Sequence, residues 1–258
     1  MKRLKRIPDS RRVPAVHDWR RAMQRLLLAV AFLVVAAACA LTFLVFFTSA
    51  FKIKEVNFKG NNDVPTERLK QLSGVQGYSN LVTLPVGRIA KLMESDPWVK
   101  EARVQRHLPH TVNIQIVERT PIAMLDFGTF AYLVGGDGLV IEKVAPDQFK
   151  ELPRIYGGKV PPPLAGSKVS DKKISECIDV LAGMPTEMRA MLLMGNPFDG
   201  RGQVFVARSG YNVVYGNASR MKQKNEVLQA VATDVNNNKR KIAYIDVRVP
   251  DSPVIKPQ

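Results

Sequence analysis

From Leu26 to Phe51 the chain carries no charged side chain, reading LLLAVAFLVVAAACALTFLVFFTSAF. As a helix this run rises about 39 Å, more than the roughly 30 Å hydrocarbon core of a bilayer. No water reaches the backbone there, so every N–H and C=O must pair within the segment and a lone span must be helical. The chain is therefore expected to be one membrane anchor (26–51) followed by whatever residues 52–258 build.

The flank before the run sets the expected orientation. Residues 1–25 hold nine Lys or Arg (Lys2, Arg3, Lys5, Arg6, Arg11, Arg12, Arg20, Arg21, Arg25) against Asp9 and Asp18, which places +7 of the formal +15 there. Arg20, Arg21 and Arg25 stand nearest the span and read as a topology signal. Basic flanks stay cytoplasmic and touch anionic headgroups of the lipid bilayer. Residues 1–25 thus read as a cytoplasmic tail and 52–258 as extracytoplasmic. The remaining +8 is spread over more than 200 residues, so nucleic acid, the usual partner of a very basic chain, is not expected. A cleaved signal peptide would have an apolar core of only about 7–15 residues, and Thr48-Ser49-Ala50 is a mediocre cleavage site. Ala36-Ala37-Ala38-Cys39 faintly suggests a lipobox, but it lacks the leucine three positions before the cysteine, and the apolar run continues through Phe47.

The two cysteines cannot meet, since Cys39 is mid-span and Cys177 lies far outside it. Stability must come from hydrophobic cores, and 52–258 is long enough for one or two. Cys177, in a helical pattern, reads as a small buried hydrophobe.

After the span, Val56 and Phe58 alternate with Asn57 and Lys59 as a half-buried strand ending at Gly60. Thr66–Leu72 reads as a short helix between Pro65 and Gly74. From Pro85 to Ser95, Val86, Ile89, Ala90 and Met93 form one apolar helical face. Val99–Arg106 and Thr111–Glu118 alternate as two strands joined at His107-Leu108-Pro109-His110, with Val112, Ile114 and Ile116 on one face. Two helices on a three-stranded sheet make a small α+β unit over residues 52–123, and core packing is the expected role of Trp98. Residues 124–258 read as a mostly antiparallel β domain with a few helices. Strands are expected around the Gly135-Gly136-Asp137-Gly138 turn, at Gln203–Arg208, Asn212–Tyr215 and Ile242–Val249, and helices at Asp171–Leu181 and Arg220–Thr233. Residues 152–163 and 196–202 read as loops.

Three stretches carry a resemblance. Val56-x-Phe58-x-Gly60, Pro97-Trp98-Val99-x-x-Ala102-x-Val104-x-Arg106-x-x-Pro109 and Val112-x-Ile114-x-Ile116-x-Glu118-Arg119-x-Pro121-x-Ala123 resemble a POTRA domain. Leu152-Pro153-x-Ile155-x-Gly157, the turn at 134–140 and the closing Tyr244-Ile245-Asp246-Val247-Arg248 are similar to the second domain of the FtsQ/DivIB family of cell-division proteins. That resemblance implies a non-enzymatic scaffold at the division septum. Its implied partners are FtsB/DivIC-like and FtsL-like single-pass proteins, and through them it would influence septal peptidoglycan synthesis. Some family members carry an aromatic residue after the last strand, where this chain has Val254-Ile255-Lys256-Pro257-Gln258. The alternative is an envelope or transport accessory using the same POTRA-like module.

No cofactor, small-molecule substrate, metal set or catalytic residue is expected. His107 and His110 flank a turn without Cys or acidic companions, His17 lies before the span, no G-x-S-x-G element occurs, and the glycine-rich turn is followed by a strand rather than a helix. The candidate site is Ile242–Val249, expected to be the last strand, with Ile245, Val247 and Val249 facing the core and Tyr244, Asp246 and Arg248 facing away. Asp246 and Arg248 suit either a mutual ion pair or partner contacts. An uncovered edge favours pairing with another chain, so Tyr244, Asp246, Arg248, Val249 and Arg201 form the expected partner-binding set. The 220–233 helix is the second choice.

Overall fold

The computed structural model describes residues 17–47, 49–158 and 160–258, and the basic positions from Lys2 to Arg12 lie outside the described residues. Helix α1 runs His17–Phe47, so Arg20, Arg21 and Arg25 sit on the helix itself rather than before it. The Arg20–Arg25 stretch contains only good helix formers, and nothing in it stops the helix at the membrane boundary. Its apolar stretch, Trp19–Leu44, buries nothing against protein, as suits a helix whose solvent is lipid. The one hydroxyl well inside that stretch, Thr42, donates to the Ala38 carbonyl at 2.8 Å and so leaves no unsatisfied polar atom. The helix does not continue to Phe51 as expected. Ser49–Phe51 is a short 3₁₀ turn, closed by Lys52 N–H donating to Ser49 O at 3.2 Å.

The first unit comprises β1 (Glu55–Lys59), α2 (Thr66–Ser73), α3 (Val86–Glu94), β2 (Val99–His107) and β3 (Thr111–Glu118). The sheet order is β1-β3-β2, with β1 parallel to β3 so that Phe58 pairs with Ile114. Val112, Ile114 and Ile116 point into a core with Leu69, Ile89 and Met93, and Val86, Ala90 and Val104 pack around it. The strand facing and the α3 stripe are those the sequence predicts. Glu118 ties the loop before α2 to the end of β3, its carboxylate accepting from the backbone N–H of Asn62, Asp63 and Val64 at 2.8–3.1 Å.

The second unit is a nine-stranded sheet whose first four strands are β4 (Pro121–Asp126), β5 (Ala131–Gly135), β6 (Val140–Val144) and β7 (Arg154–Tyr156). Then come α4 (Lys172–Ala182), α5 (Thr186–Ala190), β8 (Leu192–Asn196), β9 (Gln203–Ala207), β10 (Asn212–Gly216), α6 (Met221–Asn237), β11 (Ile242–Asp246) and β12 (Val254–Pro257). The spatial order is β12-β11-β10-β9-β8-β7-β4-β5-β6. The Gly135–Gly138 turn is a hairpin, with Gly138 N–H donating to Gly135 O. Asp171 caps α4 by accepting from Lys173 and Ile174 N–H at 3.0 Å, the standard remedy for orphan helix donors. Cys177 is fully buried in the main core; burial and, secondarily, the neighbouring Glu176 charge push its thiol well above the usual range.

Several elements differ from expectation. Residues 154–156 are not loop: β7 lies parallel to both β4 and β8. Three residues between Pro153 and Gly157 carry too little pattern to show as a strand. β4, α5 and β8 were not anticipated either, and β8 includes Gly195, whose position in a strand interior is unfavourable in isolation.

Arg119, immediately after β3, joins the two units. Its guanidinium is buried; Nη1 donates to the carbonyls of Pro97 and, at 3.3 Å, Val99, while Nε pairs with Asp137 Oδ2 at 3.1 Å. Asp137 lies in the β5–β6 turn, and burial raises its carboxyl, but the hydrogen bond and charge of Arg119 outweigh that and hold it below the usual value. Gly135 makes room for the Arg119 stem, since a Cβ there would fall 2.7 Å from Arg119 Cδ. Trp98 is half-buried, packs against hydrophobic clusters of both units and donates Nε1–H to Glu142 Oε2 at 2.9 Å. Its role is core packing, but at the junction of two cores.

Candidate functional site at the C-terminal sheet edge

β11 is placed by α6, which returns the chain so that β11 lies parallel to β10, pairing Val213 with Ile245 and Val214 with Asp246. Ile245 and Val247 are completely buried, as their expected facing requires. Val249 is not, being 56% exposed. The reason is that the strand ends at Asp246 and not at Val249. The Asp246 carboxylate accepts from the backbone N–H of Arg248 at 3.0 Å, a local turn that competes with the strand ladder. Ser252 N–H then donates to Val249 O, closing a second turn around Pro250.

β11 is also not the edge. After that turn the chain comes back as β12, antiparallel to β11, pairing Tyr244 with Lys256, Ile245 with Ile255 and Asp246 with Val254. The expectation that Ile242–Val249 is the last strand is thereby corrected: Pro253 stands just before β12, where its missing N–H costs the strand ladder nothing. The sheet terminates in β12, whose four residues are exposed or half-buried.

The side chains predicted for the site do converge. Arg248 grips Asp246 with Nε and Nη2 at 2.7–3.1 Å. Arg201 makes a similar fork to Asp199 at 3.0–3.1 Å in the turn leading to β9. Charge–charge coupling links the two pairs, because Arg201 feels both Asp246 and Tyr244, and Arg248 feels Arg201. Burial raises the Asp246 carboxyl, but Arg248 and then Arg201 lower it more, so it stays ionised below the usual range. Asp199 is lowered chiefly by its bond to Arg201. Gly216, at φ +81°, lets Arg248 lie across the end of β10, since a Cβ there would stand 2.8 Å from Arg248 Cγ. Lys256 caps the aromatic member, its ammonium 6.0 Å from the Tyr244 ring centroid. The result is a surface of one half-buried aromatic, two guanidinium–carboxylate forks and the exposed Val249, beside a strand edge. Both carboxylates of this surface are held in ion pairs with guanidinium groups.

Behind it lies a residue the sequence reading passed over. Lys224 is almost completely buried, donating to the carbonyls of Tyr215 and Asn217 and to Asn217 Oδ1 at 2.8–3.2 Å. Burial lowers its pKa. The Tyr215 hydroxyl, pushed up to about 12 by burial, donates to Asn225 Oδ1 at 2.9 Å. Together they fix the end of β10 against α6. The only signal was a lysine three residues before Val227-Leu228, which a helical wheel does not single out. His107 and His110 stand at the β2–β3 turn as expected, with His110 Nδ1 3.2 Å from Lys52 O.

An apolar helix long enough to span a membrane, an αβ unit of POTRA type and a mixed β sheet define a class of membrane-anchored two-unit proteins. Comparison with known proteins narrows it. Residues 51–119 match the family of FtsQ-type POTRA domains, and residues 123–248 match the C-terminal domain family of the cell-division proteins FtsQ/DivIB. The chain belongs to the FtsQ/DivIB family. Among relatives, FtsQ of Anaeromyxobacter sp. (strain K) is 32% identical over 41% of this chain and 36% of its own length. FtsQ of Syntrophotalea carbinolica is 28% identical over 64% of this chain and 60% of its own length. DivIB of Staphylococcus aureus is 25% identical over 79% of this chain and 45% of its own length. The chain thus spans between about a third and three-fifths of these relatives.

Proposed function

We propose that this protein is a non-catalytic scaffold of the bacterial divisome. It is held in the cytoplasmic membrane by α1 with its N-terminus cytoplasmic, and it binds FtsB/DivIC-like and FtsL-like partners outside the membrane to regulate septal peptidoglycan synthesis. The family, the single apolar helix and the basic residues on its N-terminal side support this reading. The observation that carries it is the exposed strand β12 at the sheet terminus, flanked by Tyr244, Arg201, Arg248, Asp246 and Val249. A partner segment adds to β12 as a further strand. Backbone bonds supply affinity, and the aromatic and guanidinium groups supply selectivity. A fluorescent fusion to the N-terminus, imaged in dividing cells, tests the reading. A band at mid-cell is expected, with filamentous cells on depletion. Uniform envelope fluorescence and normal division on depletion would contradict it.

A further inference from the structure

Directly after the span, the first unit presents a groove of about 500 Å³ between the start of the sheet and the α2 C-terminus. Its apolar surface includes Val56, Phe58 and Tyr78, all half-buried, and its only charged lining residues are Lys52, Lys54 and Lys70. Lys52 and Lys54 are exposed and have no ion-pair partner among the described residues; Lys70 has a loose one in Glu67 at 3.7 Å. The groove is tied to the end of the anchor. Leu81 N–H donates to Phe51 O at 2.8 Å, and Lys52 bridges to Asn80. Only four residues separate Phe47, the last of α1, from Lys52, and Ser49–Phe51 is a 3₁₀ turn. Chain connectivity therefore holds the three ammonium groups near the bilayer surface whatever the orientation of the unit.

We propose that this groove binds the headgroup of an anionic glycerophospholipid. The lysines take the phosphate, and Val56, Phe58 and Tyr78 cover the glycerol and first methylenes. Three features on one wall favour lipid over a soluble ligand: uniformly positive charge, an apolar floor beside it, and a covalent tether to a membrane span that keeps lipid at high local concentration. Bound lipid would hold the first unit against the bilayer, and through Arg119 and Trp98 it would set the height of the whole envelope part above the membrane. This inference does not depend on the identity of the division partners.

The test uses the full chain in nanodiscs of phosphatidylcholine alone or mixed with phosphatidylglycerol, followed by hydrogen exchange. Amides of 70–79 should exchange at least about fivefold more slowly in the anionic discs, the factor expected for one lysine–lipid contact. Added salt should remove the difference, and so should the paired substitution Lys52→Gln/Lys54→Gln, while exchange in β3 stays the same throughout. Equal exchange in both lipids, a difference insensitive to salt, or one retained in the variant would overturn the proposal. So would protection that appears only when a protein partner is added.

Discussion

Lys256 lies over the Tyr244 ring, 6.0 Å from its centroid, because the two residues are register partners across β11 and β12. Residues 254–257 thus cover the strand that carries Tyr244 and Asp246. Removing residues 253–258 would expose the unpaired N–H and C=O groups of β11, a template for association between copies. Light scattering of the truncated chain in detergent should show concentration-dependent association beyond that of the intact chain at the same concentrations. A monomeric truncated chain would mean that β11 is protected in some other way.

Arg119 makes the second testable junction. Arg119→Met keeps much of the buried stem but leaves the Pro97 and Val99 carbonyls without its bonds, at a cost of about 1–3 kcal/mol. Because the substitution also removes the Arg119–Asp137 pair that links the units, urea unfolding should change from one transition toward two, with the first unit opening earlier. A single transition at the original midpoint would show that Trp98 alone couples them.

In the first unit, Ile114 is buried in the sheet face opposite α2 and α3. Ile114→Asp places an unpaired carboxylate there, costing several kcal/mol if unrelieved. Thermal unfolding of the full chain should begin well below its ordinary midpoint, whereas an unchanged profile would contradict the assigned facing.

The acid response follows from three carboxylates held below their usual value of 3.8, namely Asp137, Asp199 and Asp246. A depressed folded pKa means that the unfolded chain binds the proton first. The stabilisation is therefore complete above the unfolded value and is lost as pH falls through the lower folded values. Stability should be flat from neutral pH to about 5 and decline below 4, and Asp246→Asn should flatten that decline. An Asp246→Asn protein with an unaltered acid limb would show that the forked pair with Arg248 contributes nothing.

Much of this was legible because strong periodicity survives translation into structure. The α3 stripe, the Val112–Ile116 alternation and the buried Ile245 and Val247 are places where local pattern and tertiary packing agree. β7 and β12 were not legible, each being three or four residues beside prolines and held by pairing with distant strands rather than by any pattern of its own. β12 also lies beyond residue 248, where the family match stops. Of the candidate site, the structure brings the side chains Arg201, Tyr244, Asp246 and Arg248 within electrostatic reach of one another. The edge itself was misplaced by one strand, because an Asx turn at Asp246 and a return through Pro253 leave only a faint trace in sequence. Arg119 and Lys224 were missed in their roles because a buried cation is recognised by the carbonyls that surround it, which come from other segments.

The proposed binding at the C-terminal edge is tested most directly by calorimetric titration of the full chain in nanodiscs with the envelope fragment of an FtsB/DivIC-like protein. Tyr244→Ala removes the aromatic anchor, and Arg248→Glu reverses one fork while setting a carboxylate beside Asp246. Each should raise Kd at least tenfold, about 1.4 kcal/mol, with the melting profile retained. Both variants folded and binding as tightly as wild type would contradict the placement of the interface at this edge, and α6 would become the surface to test.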